Sequence, residues 1–149
     1  MSVVTNRIAN LQAEMKKLGV DAVYVNSAEN HLYFSGFDNP DGYVVITFDK
    51  TYLFADSRYI EAAKAEADKS IVVCLPGQPT VKELVHDLGI KSIGYEDERM
   101  TCAGLEGLKR SVGDDKVEYK PMGGLFVEIR SYKTEDEVEN IVAAQRIAE

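Results

Sequence analysis

The chain has no tryptophan, only two cysteines and two histidines, and four prolines in 149 residues. Two thiols are too few for the disulfide framework of a small secreted domain, and no set of sulfur or imidazole ligands stands at zinc-site spacing. Cations are scarce as well: Lys and Arg number 17 against 25 Asp and Glu, a net charge of -8. No window carries a basic run, so no phosphate-reading face and no nucleic-acid partner are expected. No apolar stretch approaches the length of a membrane span. The start, Met1-Ser-Val-Val-Thr-Asn-Arg7, lacks the apolar core and cleavage signature of a signal peptide. A cytosolic protein without a membrane partner is the expectation. In that reducing compartment Cys74, inside the apolar run Ile71 to Leu75, reads as a small buried core residue, and Cys102 is read the same way.

What is present suits one folded domain, with 45% hydrophobic and 28% charged residues. Ile8, Leu11, Met15 and Leu18 recur at helical spacing, with Thr5 or Asn6 as the cap and Gly19 as the stop. Asp21 to Val25 is a short β-type run, and Ser27 to Phe34 a short helix stopped by Gly36. Tyr43 to Phe48 and Thr51 to Ala55 are separated by two residues, which makes them antiparallel neighbours. An Ala-rich helix spans Arg58 to Ala67, strands span Ser70 to Leu75 and Ile90 to Tyr95, and Val117 to Lys120 is the last strand. Thr80 with Glu83, and Thr134 with Glu137, have capping-box spacing at two helix starts, and Thr101 to Arg110 is a further helix. The expected fold class is α/β: a mixed sheet of about six strands flanked by five or six helices. The last helix runs to Ile147-Ala-Glu149 without a closing cap, from which a longer polypeptide is expected.

No Gly-x-Ser-x-Gly elbow, phosphate-cradling loop, dinucleotide fingerprint or pair of histidines four apart occurs. His86 reads as a solvated helix side chain, and His31 has no ligand-like neighbour in sequence. Two local features invite a role. Ala55-Asp-Ser-Arg-Tyr59 sits at a strand-to-helix junction, where Asp56 or Ser57 suits the cap and Arg58 would then face the unfavourable end of the helix dipole. A carboxylate from elsewhere is expected to offset that charge. Phe37-Asp-Asn-Pro-Asp-Gly42 is a polar projecting turn of the kind that carries binding groups.

Taken together, five segments resemble the N-terminal domain of the creatinase/prolidase family, the Xaa-Pro dipeptidases and aminopeptidases P. They are Arg7 to Leu18 with Gly-Val-Asp-Ala22; Asn30-x-x-Tyr-x-Ser-Gly-Phe37; Phe54-Ala-Asp-Ser-Arg-Tyr59; Ile93-Gly-Tyr-Glu96; and Ile129-Arg-x-x-Lys133 with Glu137. The resemblance implies an RNase H-like α/β domain over residues 1–130. It makes residues 131–149 the start of a linker helix to a C-terminal pita-bread metallopeptidase domain. In such enzymes that second domain holds two divalent metals (manganese, cobalt or zinc) through two Asp, one His and two Glu, and a metal-activated water attacks the bond at proline. None of those ligands falls in this chain, so the resemblance implies no catalytic or metal-binding residue here and no activity for the fragment alone. It implies homodimer contacts and a wall of the substrate cleft, with the Asp38, Asn39 and Asp41 loop reaching the neighbouring subunit's site and Asp38 meeting the substrate's free amino group. Asp56, Arg58 and Tyr59 are expected to be a structural junction. Two alternatives stand beside this: a self-standing non-catalytic module, and a creatinase-like hydrolase of a small guanidino compound.

Overall fold

The structure is a computed structural model and describes residues 1–38 and 41–148. Helix α1 (Val3–Leu18) buries Val4, Ile8, Leu11 and Met15 along one face. Its cap is Ser2 rather than Thr5 or Asn6: Ser2 Oγ accepts the Thr5 N–H at 3.1 Å. Starting that early adds Val4 to the buried stripe, which a cap at Thr5 would forfeit. Strand β1 (Ala22–Val25) leads to α2 (Ala28–Ser35), capped by Ser27 and ended at Gly36 with φ +74°. The hairpin of β2 (Tyr43–Thr47) and β3 (Thr51–Phe54) is antiparallel as expected, its connection being three residues, Phe48 to Lys50, because β2 ends one residue earlier than the sequence suggested.

After it come α3 (Ile60–Glu66), β4 (Ile71–Cys74), α4 (Val81–Asp87), β5 (Ser92–Tyr95), α5 (Cys102–Val112) and β6 (Glu118–Pro121). The capping box of α4 is formed, Glu83 N–H donating to Thr80 Oγ1 at 3.1 Å and Thr80 N–H to Glu83 Oε2 at 2.7 Å. Helices α6 (Leu125–Ser131) and α7 (Glu135–Ala148) close the described residues, making seven helices among them. The additional one is α6. Its seven residues are under two turns, too short for a periodic signal, and Gly123-Gly124 precede it.

The six strands form one sheet in the order β4-β3-β2-β1-β5-β6, with β2 antiparallel to the other five. Alternation along the strands splits the core in two. Val23, Val25, Val44, Ile46 and Leu53 face α1, α2, α3 and α6. Ala22, Val45, Phe54, Cys74 and Ile93 face α4 and α5. Cys74 is buried as expected. Cys102 is not: it is exposed at the first position of α5, where the helix turns its side chain away from the Leu108 and Val112 stripe. No helix among the described residues is long and apolar enough to cross a membrane.

Candidate functional site

Because β2 alone runs backwards, the carboxyl ends of five strands and the start of β2 share one edge of the sheet. That edge carries the loop before α2, the loop joining α2 to β2, the Ala55–Tyr59 turn, and Glu96 after β5. In open α/β sheets the carboxyl edge is where binding groups gather.

The Asp56–Tyr59 segment is a turn, not the first turn of a helix. Tyr59 occupies the cap position without a side-chain bond and α3 begins only at Ile60, so the expected clash between Arg58 and a helix dipole does not arise. The reason is local: the Asp56 carboxylate accepts both the Arg58 N–H and its Nε–H at 2.9 Å, which folds the turn around the arginine. The expected carboxylate from elsewhere is Asp41, whose Oδ2 accepts from Arg58 Nη2 at 3.2 Å. The guanidinium also lies 5.3 Å from the Tyr59 ring centroid. Hydrogen bonds from Arg58 hold the Asp56 carboxyl below the usual range, and Asp56 in turn raises Arg58.

Of the three expected loop residues, Asp41 is therefore tied to the junction. Asp38 is exposed at the end of a well-held segment, and Asn39 lies outside the described residues. Behind Asp38, His31 is 1% exposed, with Nδ1 at 3.3 Å from the Phe37 carbonyl and no hydrogen-bond partner at Nε2. Burial lowers its pKa, against the opposing pull of the Phe37 bond, Asp38 and Glu96. On the other face of the same edge Tyr24 stacks on Tyr43 at 5.1 Å and Tyr43 on Phe54 at 4.5 Å. Burial pushes both phenols up to about 12, so they remain neutral.

Sequence reasoning assigned no role to Glu96, although it stood in a matched segment. It is 2% exposed and accepts from Asn26 N–H at 2.7 Å, Ser27 N–H at 2.9 Å, Ser27 Oγ and Asn30 Nδ2. A carboxylate directly after an apolar strand was the available signal. Two donors are backbone N–H groups and two are side chains, all between Asn26 and Asn30 and 66 to 70 positions away, and no local pattern announces them. A cleft of about 780 Å³ lies at the opposite sheet end, beside Ser92 and Glu118, and shares no lining residue with these loops.

Among the described residues no three His, Cys, Asp or Glu side chains are arranged to hold a metal ion. His86 is exposed beside Asp87, and the His31 ring is turned to a backbone carbonyl. The described residues do not fit a divalent metal pair.

A mixed six-stranded sheet covered on both faces, with a polar loop cluster at its carboxyl edge, defines a three-layer α/β domain. The chain belongs to the creatinase/prolidase N-terminal domain family, which matches residues 7–132. It is 27% identical over 145 residues to the uncharacterized peptidase YqhT of Bacillus subtilis, covering 96% of this chain and 40% of that protein. A probable Xaa-Pro aminopeptidase P of Coprinopsis cinerea is 30% identical over 142 residues, covering 84% of this chain and 23% of its own length. The crystal structure of the prolidase from Pyrococcus horikoshii superposes with a TM-score of 0.79 at 27% identity, covering 96% of this chain and 40% of that one. The chain thus spans two fifths or less of the length of these relatives.

Proposed function

We propose that this chain is the non-catalytic N-terminal domain of a metal-dependent Xaa-Pro peptidase, a hydrolase of bonds preceding or involving proline. Residues 1–130 form the domain and residues 131–149 begin the linker helix to a C-terminal pita-bread domain. Two divalent metals, manganese, cobalt or zinc, belong to that second domain and supply the activated water there. The N-terminal domain supports a homodimer and closes the substrate cleft. Its Asp38 to Asp41 loop reaches the neighbouring subunit's site, where the Asp38 carboxylate meets the free amino group of a proline-containing peptide. The enzyme works in the cytosol, where Cys74 and Cys102 stay reduced.

The observation that carries this is the family match over residues 7–132, with Xaa-Pro peptidases among the relatives and this chain spanning a minor part of them. The exposed Asp38 beside an anchored Asp41 is what the loop's role rests on. The test is an assay of the purified whole protein on Ala-Pro and on a longer Xaa-Pro peptide, with and without manganese, beside the 149-residue chain. Manganese-dependent turnover by the whole protein alone is expected. Asp38→Asn should raise KM about tenfold with kcat retained, the loss of one charge-assisted hydrogen bond. No turnover with manganese, or turnover by the 149-residue chain alone, overturns the proposal. Hydrolysis of a guanidino compound instead of the peptides would assign the creatinase-like alternative.

A further inference from the structure

Helix α2, which ends two residues short of Phe37 and its neighbour Asp38, is held at both ends by buried polar groups. At its start, the Glu96 carboxylate accepts the four donors described above, the last of them the side-chain amide of Asn30. Asn30 is 3% exposed, and its Oδ1 accepts from Arg130 Nη1 of α6 at 3.3 Å. At the other end, Ser35 Oγ donates to the His31 carbonyl at 2.7 Å and accepts the Phe37 N–H at 3.1 Å.

The outward face of α2 is tied to the helices that follow the sheet. Tyr33, three residues after Asn30, donates its hydroxyl to the Ile129 carbonyl of α6 at 3.5 Å. The Arg7 guanidinium lies 4.0 Å from the Tyr33 ring centroid and donates to the Tyr33 carbonyl at 3.1 Å. The same guanidinium donates to Glu137 Oε1 of α7 at 2.7 Å. One face of an eight-residue helix therefore touches α1 and α6, and reaches α7 through one arginine.

Chemistry gives Arg130 a specific part. A carboxylate only accepts and a guanidinium only donates, while a side-chain amide has one end of each kind. Glu96 and Arg130 therefore select the same orientation of Asn30, NH₂ toward the carboxylate and oxygen toward the guanidinium. Without the cation the carboxylate still holds the NH₂ on its side, and the Asn30 oxygen, in a residue 3% exposed, loses its donor. The anchor of α2 would then contain a buried acceptor without its donor and lose its tie to α6.

We propose that Arg130 is a positioning residue: by satisfying the buried oxygen of Asn30 behind the Glu96 anchor it fixes α2, and with it Asp38, relative to α6 and α7. The loop's part in substrate binding rests on the function proposed above, whereas the coupling itself does not. It is tested by amide hydrogen exchange on the 149-residue chain carrying Arg130→Met or Arg130→Lys. Arg130→Met should speed exchange at Asn26, Ser27 and Gly36 to Asp38 about tenfold, as for the loss of one charged hydrogen bond, with β2 and β3 unchanged. Arg130→Lys, which keeps the charge, should restore part of the protection and covers the case in which the methionine variant does not fold. Unchanged exchange at those amides, or an equal rise across β2 and β3, overturns the proposal. In the whole enzyme Arg130→Met should raise KM for Ala-Pro with kcat kept, and a fall in kcat at constant KM also overturns it. An unaltered enzyme without turnover would defeat the peptidase assignment, while the exchange result would still decide the coupling.

Discussion

Glu96 shows how much a single buried carboxylate can organise. It takes both backbone donors at the start of α2, the hydroxyl that caps the helix, and one side-chain amide. Negative charge at a helix start is favoured by the dipole as well as by these bonds. Glu96→Gln keeps the shape but sets an NH₂ against a cluster in which three of the four partners, the Asn26 and Ser27 N–H groups and the Asn30 NH₂, only donate. It should cost about 2–3 kcal/mol, read as a lower urea midpoint at constant m. His31 supplies a second test. Burial lowers its folded pKa below the unfolded value of about 6.5, so the unfolded chain takes up its proton first as pH falls. Stability from this group is complete above about pH 6.5 and is lost as pH drops toward the lowered folded pKa. Urea midpoints measured from pH 7.5 to pH 5 should fall in that window in the native chain (scan limits of roughly those values suffice). His31→Asn should flatten the fall.

At the scale of elements, close approach decides β5. Gly94 faces Val20 and Met122, and an added Cβ would stand 3.2 Å from Val20 Cγ1 and collide with Met122 Sδ. Met122 can bend away, but Val20 is 1% exposed and packed in the core. Gly94→Ala should destabilise the chain by about 1–3 kcal/mol, measured by thermal or urea unfolding. Strand and helix positions were largely legible because alternation and capping are local. The capping box of α7 reads directly from Thr134 and Glu137, and the two side chains do bond each other's backbone. The second job of Glu137, pairing with Arg7 at 2.7 Å across 130 positions, is invisible to any local pattern. Likewise Asp56 pairs with Arg58 two positions along the chain, whereas only the fold adds Asp41.

For the whole molecule, the burial pattern separates a sheet core from an exposed terminal helix. Leu11 and Met15 are fully buried, whereas α7 has no buried residue and leaves Val138, Ile141 and Val142 at 40% exposure or more. Ile141→Glu should shift the folding stability of the chain by less than about 0.5 kcal/mol, whereas Leu11→Ala should cost about 2–5 kcal/mol. Equal losses in unfolding experiments would mean that α7 is part of the cooperative core. The order of elements apart from α6, the α/β class, the antiparallel hairpin and the family were in the sequence, since each follows from periodicity, caps and short motifs along the chain. The reversed β2 that gathers the loops at one edge, the burial of Glu96 and the bonds from Arg7 and Arg130 to α2 were decided only by tertiary structure. They join residues far apart in the chain, and a buried carboxylate or a guanidinium takes its meaning from the donors and acceptors that folding places around it.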